Sequence, residues 1–114
     1  MAKAAAEKGL QVLGITEHGP SVPGTCPLLY FKNMFVVPRQ MYGIRLLMGC
    51  EVNILDTNGS IDMPDDFIGY LDIVIAGIHA AWYKGGPIRG FFVSFIGKTA
   101  DSRMSQRPFF VSVI

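Results

Sequence analysis

The sequence has little net charge and few cysteines, and each shortage excludes a class of protein. Ten Lys and Arg against nine Asp and Glu leave a formal net charge of +1 over 114 residues. A balance so close to zero provides no broad positive field of the kind that binds nucleic acid. The two cysteines, Cys26 and Cys50, lie far apart and form no C-x-x-C pair, so neither a disulfide framework nor a zinc knuckle is expected. We predict no nucleic-acid partner and a reducing, cytoplasmic setting.

Long hydrophobic runs are also lacking. The longest apolar stretches, near 73–76 and 91–96, fall far short of the roughly 20 residues that cross a bilayer. The first eight residues include Glu7 and two lysines, where a signal peptide needs an unbroken apolar segment. We therefore expect neither secretion nor a membrane partner. With 50% hydrophobic residues, the chain has material for one domain at most.

Strand-like and helix-like segments alternate over the first 79 residues. The predicted strands cover 10–16, 45–55 and 72–78, and the predicted helices cover 2–8, 28–42 with a break at Pro38, and 67–71. The pair Asn58-Gly59 predicts a hairpin-like excursion after the second strand. Nearly continuous apolar strands between helices are typical of a parallel sheet covered by helices, so the predicted fold class is α/β.

Each predicted strand carries a potential metal ligand at or near its carboxyl end. His18 follows the first strand, Glu51 lies in the second, and His79 follows the third. Gly49, Glu51 and Asn53 share one face of their strand by the period of two. The carboxyl ends of parallel strands meet at one edge of the sheet, where α/β folds place their sites. Two imidazoles and a carboxylate suit zinc, manganese or iron.

Simpler interpretations of the same residues stay open. A histidine at the end of a strand is often a hydrogen-bonded structural residue. Glu51 can pair with a neighbouring Arg or Lys, because an isolated carboxylate inside a barrel is costly to desolvate.

The composition changes after His79. Residues 1–79 hold five Lys or Arg and eight Asp or Glu, whereas residues 80–114 hold five Lys or Arg and one acid, Asp101. The run at 91–96 favours a strand, but no complete βα unit is recognisable beyond it. The basic residues of this tail are spread out, so binding of an acidic partner is an alternative without a cluster to support it. We predict a domain fragment at 1–79 and a basic aromatic tail at 80–114.

Ordered motifs within residues 1–79 resemble one family. The run Gly14-Ile15-Thr16-Glu17-His18-Gly19-Pro20 resembles the second motif of the PHP (polymerase and histidinol phosphatase) family, in which a strand ends in Thr or Ser, an acid and a ligand histidine. The residues after this run keep the order seen in the bacterial phosphatase branch of that family: Phe31, Asn33-Met34, Pro38-Arg39, Gly43, Gly49, Glu51, Asn53-Ile54, Gly59 and Ile61-Asp62. The segment Asp72-Ile73-Val74-Ile75-Ala76-Gly77-Ile78-His79 resembles the next ligand strand.

The resemblance implies a partial, distorted (βα)7 barrel, similar to a TIM barrel, with up to three divalent metal ions (Zn, Mn or Fe) at the strand carboxyl ends. It makes Glu51 the carboxylate that bridges two metals, His79 a ligand of one of that pair, and His18 a ligand of the third. The implied activity is hydrolysis of a small phosphomonoester substrate by a metal-bound hydroxide.

Three further residues receive minor roles from the resemblance. Glu17 and Asn53 would at most orient a ligand, and an exposed loop acid is the alternative for Glu17. Arg39 would contact a substrate phosphate, with an ordinary surface arginine as the alternative.

The chain departs from the family pattern at both ends. The Asp-x-His-x-His motif of the first strand is absent, and no histidine follows His79. Asp101-Ser102-Arg103 does not fit the later Asp-x-His motif. The N- and C-terminal barrel units are thus expected to be missing, and a shifted reading frame beyond residue 79 is one hypothesis for the tail.

Incomplete barrels have physical consequences. A fragment that cannot close leaves strand edges unpaired, so we expect marginal stability and doubtful activity for the chain alone. The alternative function is a non-catalytic, degenerate PHP module or gene remnant. The sequence specifies neither the substrate, nor the metal, nor the oligomeric state.

Overall fold

The protein is described by a computed structural model that covers residues 1–79, 81–86, 93–96 and 111–113. The helices are α1 (Ala2–Glu7), α2 (Leu28–Asn33) and α3 (Asp65–Ile68), with a 3₁₀ turn at Met34–Val36. The strands are β1 (Val12–His18), β2 (Gln40–Met41), β3 (Ile44–Asn53), β4 (Ile73–Gly77), β5 (Val93–Ile96) and β6 (Val111–Val113). Within these residues, no helix has the length and apolar character needed to cross a membrane.

The three strands predicted from the sequence form the parallel centre of one sheet. β3 lies between β1 and β4, with His18 opposite Glu51 on one side and Asn53 opposite Gly77 on the other. The strand order is β5-β4-β3-β1-β6; β5 is antiparallel to β4, and β6 is parallel to β1. The sheet is therefore mixed, and the seven-unit barrel and the boundary at residue 79 stay predictions from the resemblance.

The core lies on one face of this sheet. Alternate residues of β3 point to each face, and its even-numbered members pack with the helices in a buried cluster that includes Phe31, Met34, Leu46, Met48, Cys50, Val52, Val74 and Ala76. Burial raises the pKa of the Cys50 thiol, with nearby carboxylates as a smaller cause. The odd-numbered residues of β3, Glu51 among them, occupy the opposite face.

A glycine allows β3 and β4 to approach each other. A Cβ atom at Gly49 would lie 2.3 Å from the backbone oxygen of Ile73 and 3.0 Å from Cγ2 of Thr16. No larger residue fits without separating the strands, so Gly49 keeps the site-bearing part of β3 in register with both neighbours.

The predicted helix at 28–42 is wrong beyond residue 36. The chain after Pro38 forms β2, which pairs antiparallel with the start of β3. Tyr42 and Gly43 connect them with φ values of 52° and 77°, the left-handed conformations of a two-residue hairpin turn. Proline removes a helical hydrogen bond, and Gly43 favours the turn, so local chemistry ends the helix despite its apolar spacing.

The excursion predicted at Asn58-Gly59 is present. Ile54 forms an antiparallel bridge with Ile61, and Asp56 closes the turn by accepting hydrogen bonds from the backbone N–H groups of Asn58 and Ser60. Hydrogen bonds from Ser60, first through its side chain and then through its backbone, lower the pKa of Asp56. The loop therefore folds back beside the end of β3.

Candidate metal centre at the carboxyl edge of the sheet

The structure brings together the three side chains expected to bind metal. His18 ends β1, Glu51 lies opposite it on β3, and His79 follows β4 by two residues. Nδ1 of His18 is 3.5 Å from Oε2 of Glu51, and Nε2 of His79 is 3.5 Å from Oε1 of the same carboxylate. The two imidazole rings stand 6.3 Å apart, nearly perpendicular. Glu51 is thus placed between the histidines, with one oxygen facing each.

Small residues and short loops allow this convergence. The N–H of Gly19 donates to the backbone oxygen of Glu51 at 2.7 Å, and the Thr25 hydroxyl donates to the backbone oxygen of His18 at 2.9 Å. At Gly77, a Cβ atom would lie 3.1 Å from the His79 ring and 3.7 Å from the Glu51 carboxylate. The end of β4 therefore leaves the space in which His79 turns back toward β3.

Two atoms that face each other in this group are buried without a hydrogen-bond partner. They are Nδ1 of His18 and Oε2 of Glu51, and the Glu51 side chain is only 13% exposed. Charge-assisted hydrogen bonds are typically about 2.7–2.9 Å long, so a 3.5 Å separation is too long for a good one. A buried polar atom without a partner destabilises the fold unless something else satisfies it.

The described part of the chain holds no group of three or more His, Cys, Asp or Glu side chains arranged around a single metal position. What it holds instead are two pairs that share Glu51, each made of one imidazole nitrogen and one carboxylate oxygen. Each pair supplies two ligands for a cation.

A second layer of polar residues stands behind His79. Nδ1 of His79 is 2.5 Å from Oδ1 of Asn53, and Nδ2 of Asn53 donates to Oδ2 of Asp62 at 2.7 Å. Asn53 is 1% exposed, so the Asn53 side of this contact is buried, whereas the His79 side chain is 34% exposed. Asn53 therefore links Asp62 to His79, and its role in orienting a metal ligand stays a prediction.

Sequence reasoning gave Asp62 no role in the site. The signal was present, however, because the hairpin at Asn58-Gly59 folds residue 61 against residue 54 and so carries Asp62 to Asn53. Pairing the residues on either side of the predicted turn would have placed this carboxylate next to Asn53.

Trp82, the single tryptophan of the sequence, lies at the edge of the site and was also missed. Its ring is 6.2 Å from that of His79, and its indole N–H donates to the backbone oxygen of Ser21 at 3.1 Å. The contact joins the loop after β4 to the loop after β1.

Glu17 and Arg39 lie apart from the three candidate ligands. Glu17 is on the opposite face of β1 from His18 by the period of two, and its charge contributes, after burial, to the raised pKa of Tyr30. Arg39 contacts Asp72 through Nε at 2.5 Å and donates from its NH1 group to the backbone oxygens of Met34 and Val37. Asp72 precedes β4, so Arg39 lies at the amino end of the strands.

Comparison with known proteins points to phosphatases. No protein-family model matches the chain. Over 87 residues it is 49% identical to a protein of Clostridium novyi (strain NT) named "Probable phosphatase", covering 76% of the chain and 36% of that relative. Relatives with the same name occur in Caldicellulosiruptor bescii, 45% identical over 93 residues (82% of the chain, 39% of the relative), and in Thermoanaerobacter sp. (strain X514), 46% identical over 83 residues (73% and 34%). The chain spans little more than a third of the length of the curated relatives that it matches.

Proposed function

We propose that the protein is a metal-dependent phosphoesterase of the PHP type that hydrolyses small phosphomonoesters, with its site at His18, Glu51 and His79. The observation that carries the proposal is the Glu51 carboxylate held between two imidazoles, with 3.5 Å to each. The names of the relatives support phosphatase activity in general, and the metal dependence rests on the site.

The spacing of these atoms fits cations better than hydrogen bonds. Two ligands at about 2.0–2.2 Å from a tetrahedral zinc ion lie about 3.3–3.6 Å apart. Both 3.5 Å separations fall in this range. A cation between His18 and Glu51 would satisfy the two atoms there that have no hydrogen-bond partner. Glu51 would hold an ion on each side, with His18 completing one pair and His79 the other.

Divalent cations bound here would activate water and stabilise the negative charge that develops on a phosphoryl group. The side chains of the chain supply orientation: Oδ1 of Asn53 contacts Nδ1 of His79, and Nε2 of the same ring faces Glu51. The surrounding protein shields most of the carboxylate from bulk water, since the Glu51 side chain is 13% exposed.

One observation favours the non-catalytic alternative. Within the described residues each proposed ion has only two side-chain ligands, whereas catalytic zinc sites use three. A degenerate module that retains the scaffold and part of the ligand set would look the same.

Metal content and turnover separate these functions. The purified full chain is incubated with Zn²⁺ or Mn²⁺, dialysed, analysed for bound metal, and assayed with p-nitrophenyl phosphate. We expect stoichiometric metal in the wild type and its loss in Glu51→Gln, because one carboxylate serves both pairs. Glu7→Gln, a surface change in α1, is the matched control and keeps its metal.

The outcomes divide clearly. Bound metal with phosphomonoester hydrolysis supports the phosphoesterase, and bound metal without hydrolysis supports the degenerate module. Metal at background level in the folded wild type contradicts the proposed site itself.

A further inference from the structure

Asp62 is held in place by two other segments of the chain, β3 and the loop after β1. Its Oδ1 accepts the backbone N–H of Asn53 at 2.7 Å, and its Oδ2 accepts the side-chain amide of Asn53 at 2.7 Å and the N–H of Ser21 at 3.4 Å. The N–H of Asp62 donates in turn to the backbone oxygen of Asn53 at 3.2 Å. Gly19 leaves the room for this carboxylate, since a Cβ there would lie 2.7 Å from Oδ2.

This arrangement decides which way the Asn53 amide points. An ionised carboxylate has only acceptor atoms, so the NH₂ group of Asn53 must face Asp62. The amide oxygen then faces His79. The reversed amide would place its oxygen against the Asp62 carboxylate and lose that hydrogen bond.

The orientation of the amide decides the tautomer of His79. Oδ1 of Asn53 can only accept a hydrogen bond, so Nδ1 of His79 must carry the proton that is donated to it. Because a neutral imidazole carries its proton on one nitrogen, Nε2 then has none. Nε2 is left with its lone pair, directed at Oε1 of Glu51 at 3.5 Å. A nitrogen lone pair and a carboxylate oxygen are both acceptors, so they form no hydrogen bond with each other. The two atoms can instead bind a cation between them.

We infer that Asp62 is a positioning residue that acts through Asn53 to hold His79 as the Nδ1–H tautomer with Nε2 available for a cation. Partners that fix the tautomer of a metal-binding histidine typically contribute about 10- to 100-fold to metal affinity. The metal-binding part of this inference rests on the proposed function, whereas the tautomer does not depend on any metal.

The tautomer is measured first in the metal-free full chain, by long-range ¹H–¹⁵N correlation of the histidine side chains. The sequence has two histidines, so the spectrum separates His79 from His18. In the wild type we expect the protonated nitrogen of His79 to be Nδ1. In Asp62→Asn the side chain has one acceptor in place of two, Asn53 loses its fixed orientation, and His79 becomes a mixture of tautomers while His18 is unchanged.

The matched control is Asp66→Asn, which removes the same charge from an exposed position in α3 and should leave both histidines as in the wild type. Should Asp62→Asn unfold, Gly19→Ala displaces the carboxylate without removing it and should give the same change at His79. A wild type in which His79 carries its proton on Nε2 overturns the inference. An unchanged tautomer in the folded Asp62→Asn chain, or in Gly19→Ala where the first variant unfolds, overturns it as well.

Calorimetric titration with Zn²⁺ forms the second arm. If the wild type binds Zn²⁺, Asp62→Asn should weaken binding about 10- to 100-fold and Asp66→Asn should not; equal affinities count against a positioning role. If the wild type binds no Zn²⁺, the proposed function fails, and the tautomer measurement alone decides the role of Asp62.

Discussion

Replacement of Gly49 by alanine should break the contact between β3 and β4 beneath the site. The new Cβ would stand 2.3 Å from the backbone oxygen of Ile73, whereas real Cβ atoms essentially never approach closer than 3.0 Å. The two strands must therefore separate by at least 0.7 Å at this point. The atom in the way belongs to the backbone, so no side-chain rotation relieves the clash.

The cost of Gly49→Ala follows from this displacement. Overpacking of a tight interior costs about 1–3 kcal/mol, and each strand hydrogen bond stretched beyond its range adds about 0.5–1.5 kcal/mol. We expect a loss of about 3 kcal/mol or more in the free energy of unfolding. Against a typical domain stability of about 5–15 kcal/mol, a loss of about 3 kcal/mol removes roughly a fifth to three fifths of the stability.

Urea denaturation followed by circular dichroism measures the effect. Gly69→Ala is the matched control, because a Cβ there meets only the backbone oxygen of Asp66, at 3.8 Å, and its φ of −59° suits alanine. This control should be neutral or stabilising by about 0.4–1 kcal/mol. A Gly49→Ala chain as stable as the control would refute the close approach of β3 and β4, and with it the register that sets Glu51 beside β4.

Three other measurements test the fold around the site. Asp72→Asn should lower the free energy of unfolding by about 1–2 kcal/mol, since it weakens the acceptor shared by Arg39 and a backbone N–H of β3; no change in the urea midpoint would argue against this ion pair. Thiol reagents should modify Cys26 in the folded chain and spare Cys50, which is fully buried with a raised pKa; equal rates would contradict its burial. The pKa of Asp56 is lowered in the folded chain. The ionised carboxylate therefore stabilises its turn fully when the pH is above the ordinary aspartate pKa of about 3.9. This stabilisation is lost as the pH falls through the lower pKa of the folded state. Asp56→Asn should therefore flatten the acid side of a plot of urea midpoint against pH, and an unaltered slope would show that the turn does not contribute.

Much of the candidate site follows from local patterns. His18, Glu51 and His79 were found because each ends or nearly ends an apolar run, and parallel strands bring such ends to one edge. The period of two along β3 places Glu51 and Asn53 on one face, and both contact His79. The helix predicted beyond Pro38 is wrong because the turn at Tyr42-Gly43 ends the helix despite the apolar spacing.

The role of Asp62 depended on a pairing that strand periodicity does not report. Asp62 reaches Asn53 through the hairpin that joins Ile54 to Ile61. Trp82 reaches Ser21 across a sequence separation of 61 residues. Strand periodicity reports neither contact, and only the first has a local signal, the turn at Asn58-Gly59.

By itself the sequence determined the alternation of strands and helices, the parallel strands that carry the candidate ligands and the identity of the three side chains at or near their ends. These depend on periodicity and local propensity, which act over a few residues. Only the tertiary structure decided that one carboxylate stands 3.5 Å from each imidazole, that Asn53 links Asp62 to His79, and that Arg39 and Glu17 lie elsewhere. The physical reason is that hydrogen bonds and cation sites depend on tenths of an ångström between distant residues, which packing and loop closure decide.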